Sequence, residues 1–325
     1  MHPDTGNTNA SSHQLTIDFG EPVAAQPAPK ATAQARQHQQ GGEAGDNRIY
    51  YISFGSGSSG NASYIGNASG GIIIDAGIRA EKIEECLRSN GIPMSRVKGL
   101  LLTHDHSDHV RYAYTLLRQN RHLHLFCSNR VLNGVLRRHS ISKRIKEYHR
   151  PIFKEIPFTI AGMEVTAFDV PHDGTDNMGF SISYAGRNFV IATDLGEVAG
   201  RALHYISQSN YLVIESNYDA KMLRDGPYPE YLKARIATDH GHMDNADTAR
   251  LLARIISPAL RNIFLCHLSE DNNTPELALH TTKAALEQTG ITVGDCSMSL
   301  ADRQADVSLM PLPRFDATRL FVFHS

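Results

Sequence analysis

Residues 101–110 read LLTHDHSDHV, so His104, His106 and His109 with Asp105 and Asp108 fall within six positions directly after an apolar run. Imidazole and carboxylate side chains are donors that zinc, manganese and iron accept, and a catalytic ion keeps positions open beyond its protein ligands. The spacing is His104-x-His106-x-Asp108-His109. On a loop leaving a strand, alternate positions point the same way. His104 and His106 can therefore grip one cation while Asp108 and His109 turn toward a second. A polar helix start capped by Ser107 or Asp108 is the alternative, but one cap does not call for three histidines.

Three later stretches repeat the arrangement of an apolar run followed by a donor. "FDVPHDG" delivers His172, "FVIATDLG" delivers Asp194, and "IFLCHLSE" delivers His267. Taken singly, each reads as well as a cap or a buried hydrogen-bonding group. Taken together, they place compatible donors at one rim of a sheet.

The elements that must position them follow from periodicity. "IYYISF", "ASYIG", "GIIID", "VKGLLLT", "LHLFCS", "MEVTAFDV", "GFSISY", "NFVIATD", "YLVIES" and "RNIFLCH" read as strands. Helices are expected over "AEKIEECLRSNG" (closed by Gly91), from Val110, through "RVLNGVLRRHS", over 198–207, 228–238 and 245–256, and after Pro275. Some strands are consecutive and others alternate with helices, which predicts a four-layer αββα sandwich spanning 48–325. Residues 1–47, rich in Ala, Gln, Gly, Ser, Asn and Pro, are expected to form a disordered arm.

Composition narrows the class. The 325 residues carry a formal net charge of −2, which announces no polyanion partner. The four cysteines lie far apart with no C-x-x-C, against a disulfide framework or a cysteine zinc site and in favour of a reducing cytosol. No apolar run approaches the ~18 residues of a membrane span. No charged-then-apolar leader opens the chain, so a cytoplasmic location is expected.

The ordered set H-x-H-x-D-H, lone His, strand-end Asp and late His resembles the metallo-β-lactamase fold superfamily. The stretches "FGSGSSGN", "THDHSDH", "PHDG", "TDLG", "ESNYD", "GHMDN" and "CHLSEDNN" are similar to its WalJ/YycJ-like branch, over nearly the whole of 48–325. The resemblance implies a dinuclear site of two divalent ions (zinc, manganese or iron). His104, His106 and His172 would hold one, Asp108, His109 and His267 the other, and Asp194 would bridge them. Where the branch has "GHLSN", this chain has Asp244 in place of a hydroxyl.

A pair of cations generates hydroxide near neutral pH and neutralises charge on a phosphodiester. The leaving oxygen still needs a proton. The candidate catalytic set is Asp108, at the metal itself, with His242 as the acid and Glu215 orienting it, as a Glu and a His do in the resembling nucleases. Glu215 reads equally as a cap of the next helix. His240 reads as a solvated neighbour, and Asp75 as a carboxylate that orients a ligand histidine. The "GSGSSGN" loop, with Ser58, Ser59 and Asn61, is either a phosphate cradle or a plain hairpin connection.

The substrate class rests on two further features. Residues 137–150, "RRHSISKRIKEYHR", are strongly basic and follow Arg118, Arg121 and Arg130. They form either a nucleic-acid track or a solvated face. In the arm, Gln14, Leu15, Ile17 and Phe19 fit Q-x-x-L/I-x-F, which resembles the peptide that docks bacterial sliding clamps. The expectation is a metal-dependent phosphodiesterase acting on nucleic acid, DNA before RNA. The family resemblance implies an exonuclease preferring 5′ ends, and the clamp-like peptide points to replication or repair. The alternative is hydrolysis of a small ester, thioester or cyclic phosphodiester.

Overall fold

The computed structural model describes residues 46–296 and 305–324. The arm expected over 1–47, with Gln14, Leu15, Ile17 and Phe19, lies outside the described residues except at its last two positions. Among the described residues two sheets form. One contains β1 (Ile49–Gly55), β2 (Ala62–Asn67), β3 (Gly70–Ile74), β4 (Val97–Leu101), β5 (His124–Cys127) and β6 (His149–Pro151). The other contains β7 (Phe158–Ile160), β8 (Met163–Asp169), β9 (Met178–Tyr184), β10 (Arg187–Ala192), β11 (Tyr211–Glu215), β12 (Asn262–Cys266), β13 (Val293–Asp295) and β14 (Val307–Pro311). A last strand, β15 (Phe321–Phe323), returns to pair antiparallel with β1 and closes that edge of the first sheet. The strand orders are β15-β1-β2-β3-β4-β5-β6 and β13-β14-β12-β11-β10-β9-β8-β7.

The apolar runs are continuous because the central strands are buried on both faces. In β10, Phe189 and Ile191 join the core between the sheets, while Val190 and Ala192 face outward. Strand β11 divides the same way, with Tyr211 and Val213 inward and Leu212 and Ile214 outward. Tyr51 of β1 packs its ring 4.9 Å from Phe189 and 5.0 Å from Phe264, which joins the two sheets directly.

The outer layers are helical. Over the first sheet, α1 (Ala80–Ser89) buries Ile83 and Leu87. Next come the single turn α2 (Ser107–Val110), then α3 (Ala113–Gln119) with Leu116 and Leu117, and α4 (Asn129–Arg138) with Val131 and Val135. Against the outward residues of the second sheet, α5 (Gly200–Ser207) buries Ala202 and Ile206. Beyond it come the short α6 (Ala220–Asp225) and α7 (Glu230–Ile236). Leu252 of α8 (Asn245–Ile255) and Leu286 of α9 (Pro275–Glu287) complete that layer. This is the expected αββα sandwich. No helix of the described residues is long and apolar enough to cross a membrane.

Three local readings change. The helix expected from Val110 is two pieces, α2 and α3, broken at Arg111 and Tyr112. That expected over 228–238 is the shorter α7. The C-terminal strands β13 to β15 were not anticipated. The Asp244 departure has a local explanation: its side chain accepts the Asp247 amide at 2.6 Å and caps α8. A serine does the same work, so the exchange preserves the helix start.

Candidate metal centre

The donors converge because strands that run in the same direction end at one rim. Strands β3 and β4 are parallel, as are β10, β11 and β12. Strand β8 runs with β10, both being antiparallel to β9. Their C-terminal ends deliver Asp75, His104, His172, Asp194, Glu215 and His267. This is the end of an open α/β sheet at which ligands bind. At three of these ends the chain turns sharply: Asp75, Asp194 and His267 hold φ of 61°, 55° and 55°. Aspartate and histidine are among the non-glycine residues that enter this left-handed region most readily. The turn swings each side chain along the rim.

Two donor groups that share Asp194 result, and a third, Glu215, His242 and His267, adjoins them. His104, His106, His172 and Asp194 form one; Asp108, His109, Asp194 and His267 form the other. Within each, the donor atoms lie within 4.8 Å of one another. Asp194 belongs to both. Its Oδ2 stands 3.6 Å from His104 Nε2, 3.7 Å from His172 Nε2 and 3.3 Å from His109 Nε2. Asp108 Oδ2 is 3.5 Å from His109 Nε2 and 3.4 Å from His267 Nε2. Two ligands about 2.1 Å from a common ion at a tetrahedral angle stand about 3.4 Å apart. These separations fit shared cations better than direct hydrogen bonds. His104 Nε2 is buried without a hydrogen-bond partner, as a lone pair reserved for a metal would be.

Neighbouring groups fix the tautomers. Asp75 Oδ2 accepts a hydrogen bond from His109 Nδ1 at 2.7 Å, leaving Nε2 toward Asp194. Thr103 Oγ1 stands 3.0 Å from His104 Nδ1 and donates to Asp75 Oδ2 at 2.8 Å. The Gly241 carbonyl accepts from His172 Nδ1 at 2.9 Å. Such outer partners orient metal-binding imidazoles.

Electrostatics divides the two groups. Burial, then His109, pushes His104 well below its ordinary pKa. Burial, then His172, brings His106 down to about 4, and burial lowers His172. These three rings are neutral, as ligands must be. Burial opposes charge on His109 too, but Asp194, Asp75 and Asp108 raise it well above the usual range. Against the same burial, Asp194, Asp108 and Glu215 hold His267 up at about 10. The carboxylate-rich half of the site thus demands positive charge.

Glu215 is wholly buried and ties this half to His242. Its Oε1 is 2.8 Å from His242 Nδ1 and 2.8 Å from His267 Nδ1, while Oε2 accepts the Leu195 and Met243 amides. The alternative reading, a cap for the following helix, does not hold: Asp219 caps α6. His240 is exposed. The "GSGSSGN" loop is mostly a brace. The Gly57 amide donates to Asn61 Oδ1, and those of Ser56, Gly60 and Asn61 go to backbone carbonyls. Asn61 Nδ2 reaches Asp108 Oδ2 at 3.2 Å and lies 3.0 Å from His109 Nε2. Ser58 faces a cleft beside His242; Ser59 is exposed.

Several contributors escaped the sequence reading. Ser56 Oγ accepts the His267 amide at 2.9 Å and fixes that turn. Asp173, next to His172, lies 3.3 Å from His106 Nε2. Its place in "PHDG" was a signal. Asp105, inside the histidine motif, points away, accepts from Thr175 and forms an ion pair with Arg138. Arg137 and Arg138, at the start of the basic run, therefore lie beside the metal loop, with Arg137 on Thr175.

The fold and these donors define a metallo-β-lactamase-type hydrolase, and the chain belongs to the Beta-lactamase superfamily domain family, which it matches over residues 71–267. Within that family it is a YycJ/WalJ-like protein. It is 34% identical over 248 residues to "Exodeoxyribonuclease YycJ" of Bacillus anthracis, covering 76% of this chain and 92% of the relative. It is 30% identical over 245 residues to "Exodeoxyribonuclease WalJ" of Streptococcus pneumoniae, covering 75% and 90%. The metallo-beta-lactamase fold protein YhfI of Bacillus subtilis shares the fold, with a TM-score of 0.59 at 12% identity over 86% of this chain and all of that one.

Proposed function

We propose that this chain is a two-metal exodeoxyribonuclease that prefers 5′ ends and serves DNA replication or repair. The observation that carries the reading is the pair of donor groups sharing Asp194. Relatives named exodeoxyribonucleases, matched over 90% or more of their length, support DNA as the substrate. The replication link rests on the Gln14–Phe19 hexapeptide of the sequence.

His104 Nε2, His106 Nδ1 and His172 Nε2 would hold one ion, and Asp108, His109 Nε2 and His267 Nε2 the other, with Asp194 shared. Once bound, zinc, manganese or iron would supply an activated water at neutral pH and offset the charge of a phosphodiester. Glu215 accepts from His242 Nδ1 and keeps the ring aimed, so the proton to be transferred is the second one, carried on Nε2 when the ring is an imidazolium. The ring stands 5.0 Å from that of His172 and 5.2 Å from that of His267, so His242 is placed to give a proton to the leaving oxygen. The basic residues beginning at Arg137 support a path for the phosphate backbone past the site.

Digestion of 5′- and 3′-labelled single- and double-stranded DNA and RNA with manganese or zinc tests this. DNA should shorten from its 5′ end, and His106→Ala should abolish the reaction. Equal cleavage by His106→Ala, or metal-dependent ester hydrolysis with DNA left intact, would overturn the reading.

A further inference from the structure

A cleft opens directly beside His242, between the "GSGSSGN" loop and the segment 226–241, and none of the seven metal donors lines it. Ser58 and Asn217 line one side; Tyr228, Leu232, Arg235 and Ile236 line the other. The second wall is unusual. Helix α7 buries none of its residues, so packing alone does not account for its place. It is held instead at polar points on the site: Arg235 grips Asp173 through Nε and Nη2 at 2.6 Å each, and the Ile236 carbonyl accepts the His242 amide. The far end of the segment is seated too, because a Cβ on Gly196 would stand 2.4 Å from the backbone of Asp239.

Arg235 spends only part of its guanidinium on Asp173. The group has five N–H donors in a planar fork, and it lines a cleft that His242 also lines. Tyr228 is held by its hydroxyl, which donates to Asp271 Oδ2 at 2.8 Å, and its ring remains part of the wall. One cation, whose partner carboxylate Asp173 also lines the cleft, one aromatic face and two aliphatic side chains can take a nucleotide: a phosphate for the donors that Asp173 leaves on the guanidinium, a base for the ring. Stacking accepts any base. The amide of Asn217 is spent on His267, to whose carbonyl it donates at 2.7 Å, so this wall offers little to read a base edge.

Resting on the nuclease reading, we infer that the cleft is a sequence-independent subsite for the nucleotide adjoining the scissile phosphodiester, with Arg235 gripping a backbone phosphate and Tyr228 stacking its base.

The test pairs two measurements on the full chain. In the first, a fluorescein-labelled single-stranded oligodeoxynucleotide is bound to metal-free protein in EDTA and followed by anisotropy. Tyr228→Ala and Arg235→Ala should each weaken binding about tenfold. Tyr228→Phe, which keeps the ring but loses its bond to Asp271, should restore most of it, and Arg235→Lys should restore part. Arg224→Ala, which removes an exposed charge of α6 outside the cleft, should leave binding unchanged. In the second, manganese-loaded protein is assayed on the oligonucleotide and on bis(p-nitrophenyl) phosphate, a diester without base or sugar. The ratio of kcat/KM on DNA to that on the small diester should fall at least about fivefold in both alanine variants, chiefly through KM. A merely structural role would lower both substrates together and leave the ratio unmoved, overturning the inference. Wild-type protein that shortens DNA with the same KM and affinity as both alanine variants sinks the cleft reading alone. Wild-type protein that hydrolyses the small diester and leaves DNA intact sinks the nuclease reading, and this subsite with it.

Discussion

Glu215 shows how much one buried carboxylate does at the residue scale. A single oxygen holds both His242 and His267, so the proposed acid and a proposed metal ligand share an anchor. Replacing His242 by Ala should lower kcat by about 10²–10⁴-fold with the metal content unchanged. Glu215→Gln should lower kcat and also weaken metal binding by about 10–100-fold. Turnover and metal analysis on the same samples separate the two. Protons give a second check. At pH 8 the medium lies below the value of about 10 at which His267 is held, so that ring is protonated in metal-free protein, and His109 is shifted in the same direction. Coordination requires neutral imidazole, so loading at pH 8 should release at least about one proton, that of His267, its release fading as pH rises through about 10. His104, His106 and His172, already neutral, contribute none. Calorimetric titration in buffers of different ionisation heat measures this, and no release would contradict the assignment. The donors were legible because the same pattern, apolar run then donor, recurs along the chain. Ser56 was not, because its partner lies 211 positions away and nothing local marks it.

At the element scale, the site depends on strand ends that approach backbone to backbone. A Cβ on Gly77, just past β3, would stand 1.5 Å from the Asp108 carbonyl, so that glycine lets the strand end lie against the metal loop. Gly91 provides the comparison: φ is +72° and nothing lies within 4 Å of its would-be Cβ. Gly91→Ala should cost about 1–2 kcal/mol from its backbone alone and leave metal binding intact. Gly77→Ala should cost more and lose metal, because the Asp108–His109 turn must move. Denaturant unfolding with metal analysis distinguishes them; full metal content in Gly77→Ala would contradict this account of the rim. Capped helices were readable here, α9 through Thr274 and Pro275 most clearly. The break between α2 and α3 was not, because Ala76 draws the chain there: its carbonyl accepts the Tyr112 amide at 2.8 Å. That is a tertiary contact without a local sequence signal.

For the whole molecule, two layers of apolar burial hold one polar rim. Strands such as β10 and β11 read as plain apolar runs because they are sandwiched, and that much of the architecture was legible. The C-terminal strands were not, being as short as the three residues of β15, whose strand identity comes from pairing with β1. The result is that seven donors spread from His104 to His267 converge, with Asp194 common to both groups. The most direct test is metal stoichiometry on purified, manganese- or zinc-loaded protein by mass spectrometry, with Asp194→Ala alongside. Two ions per chain in the wild type and fewer than one in Asp194→Ala are predicted. A single ion in the wild type, or two retained without Asp194, would contradict the shared-carboxylate centre.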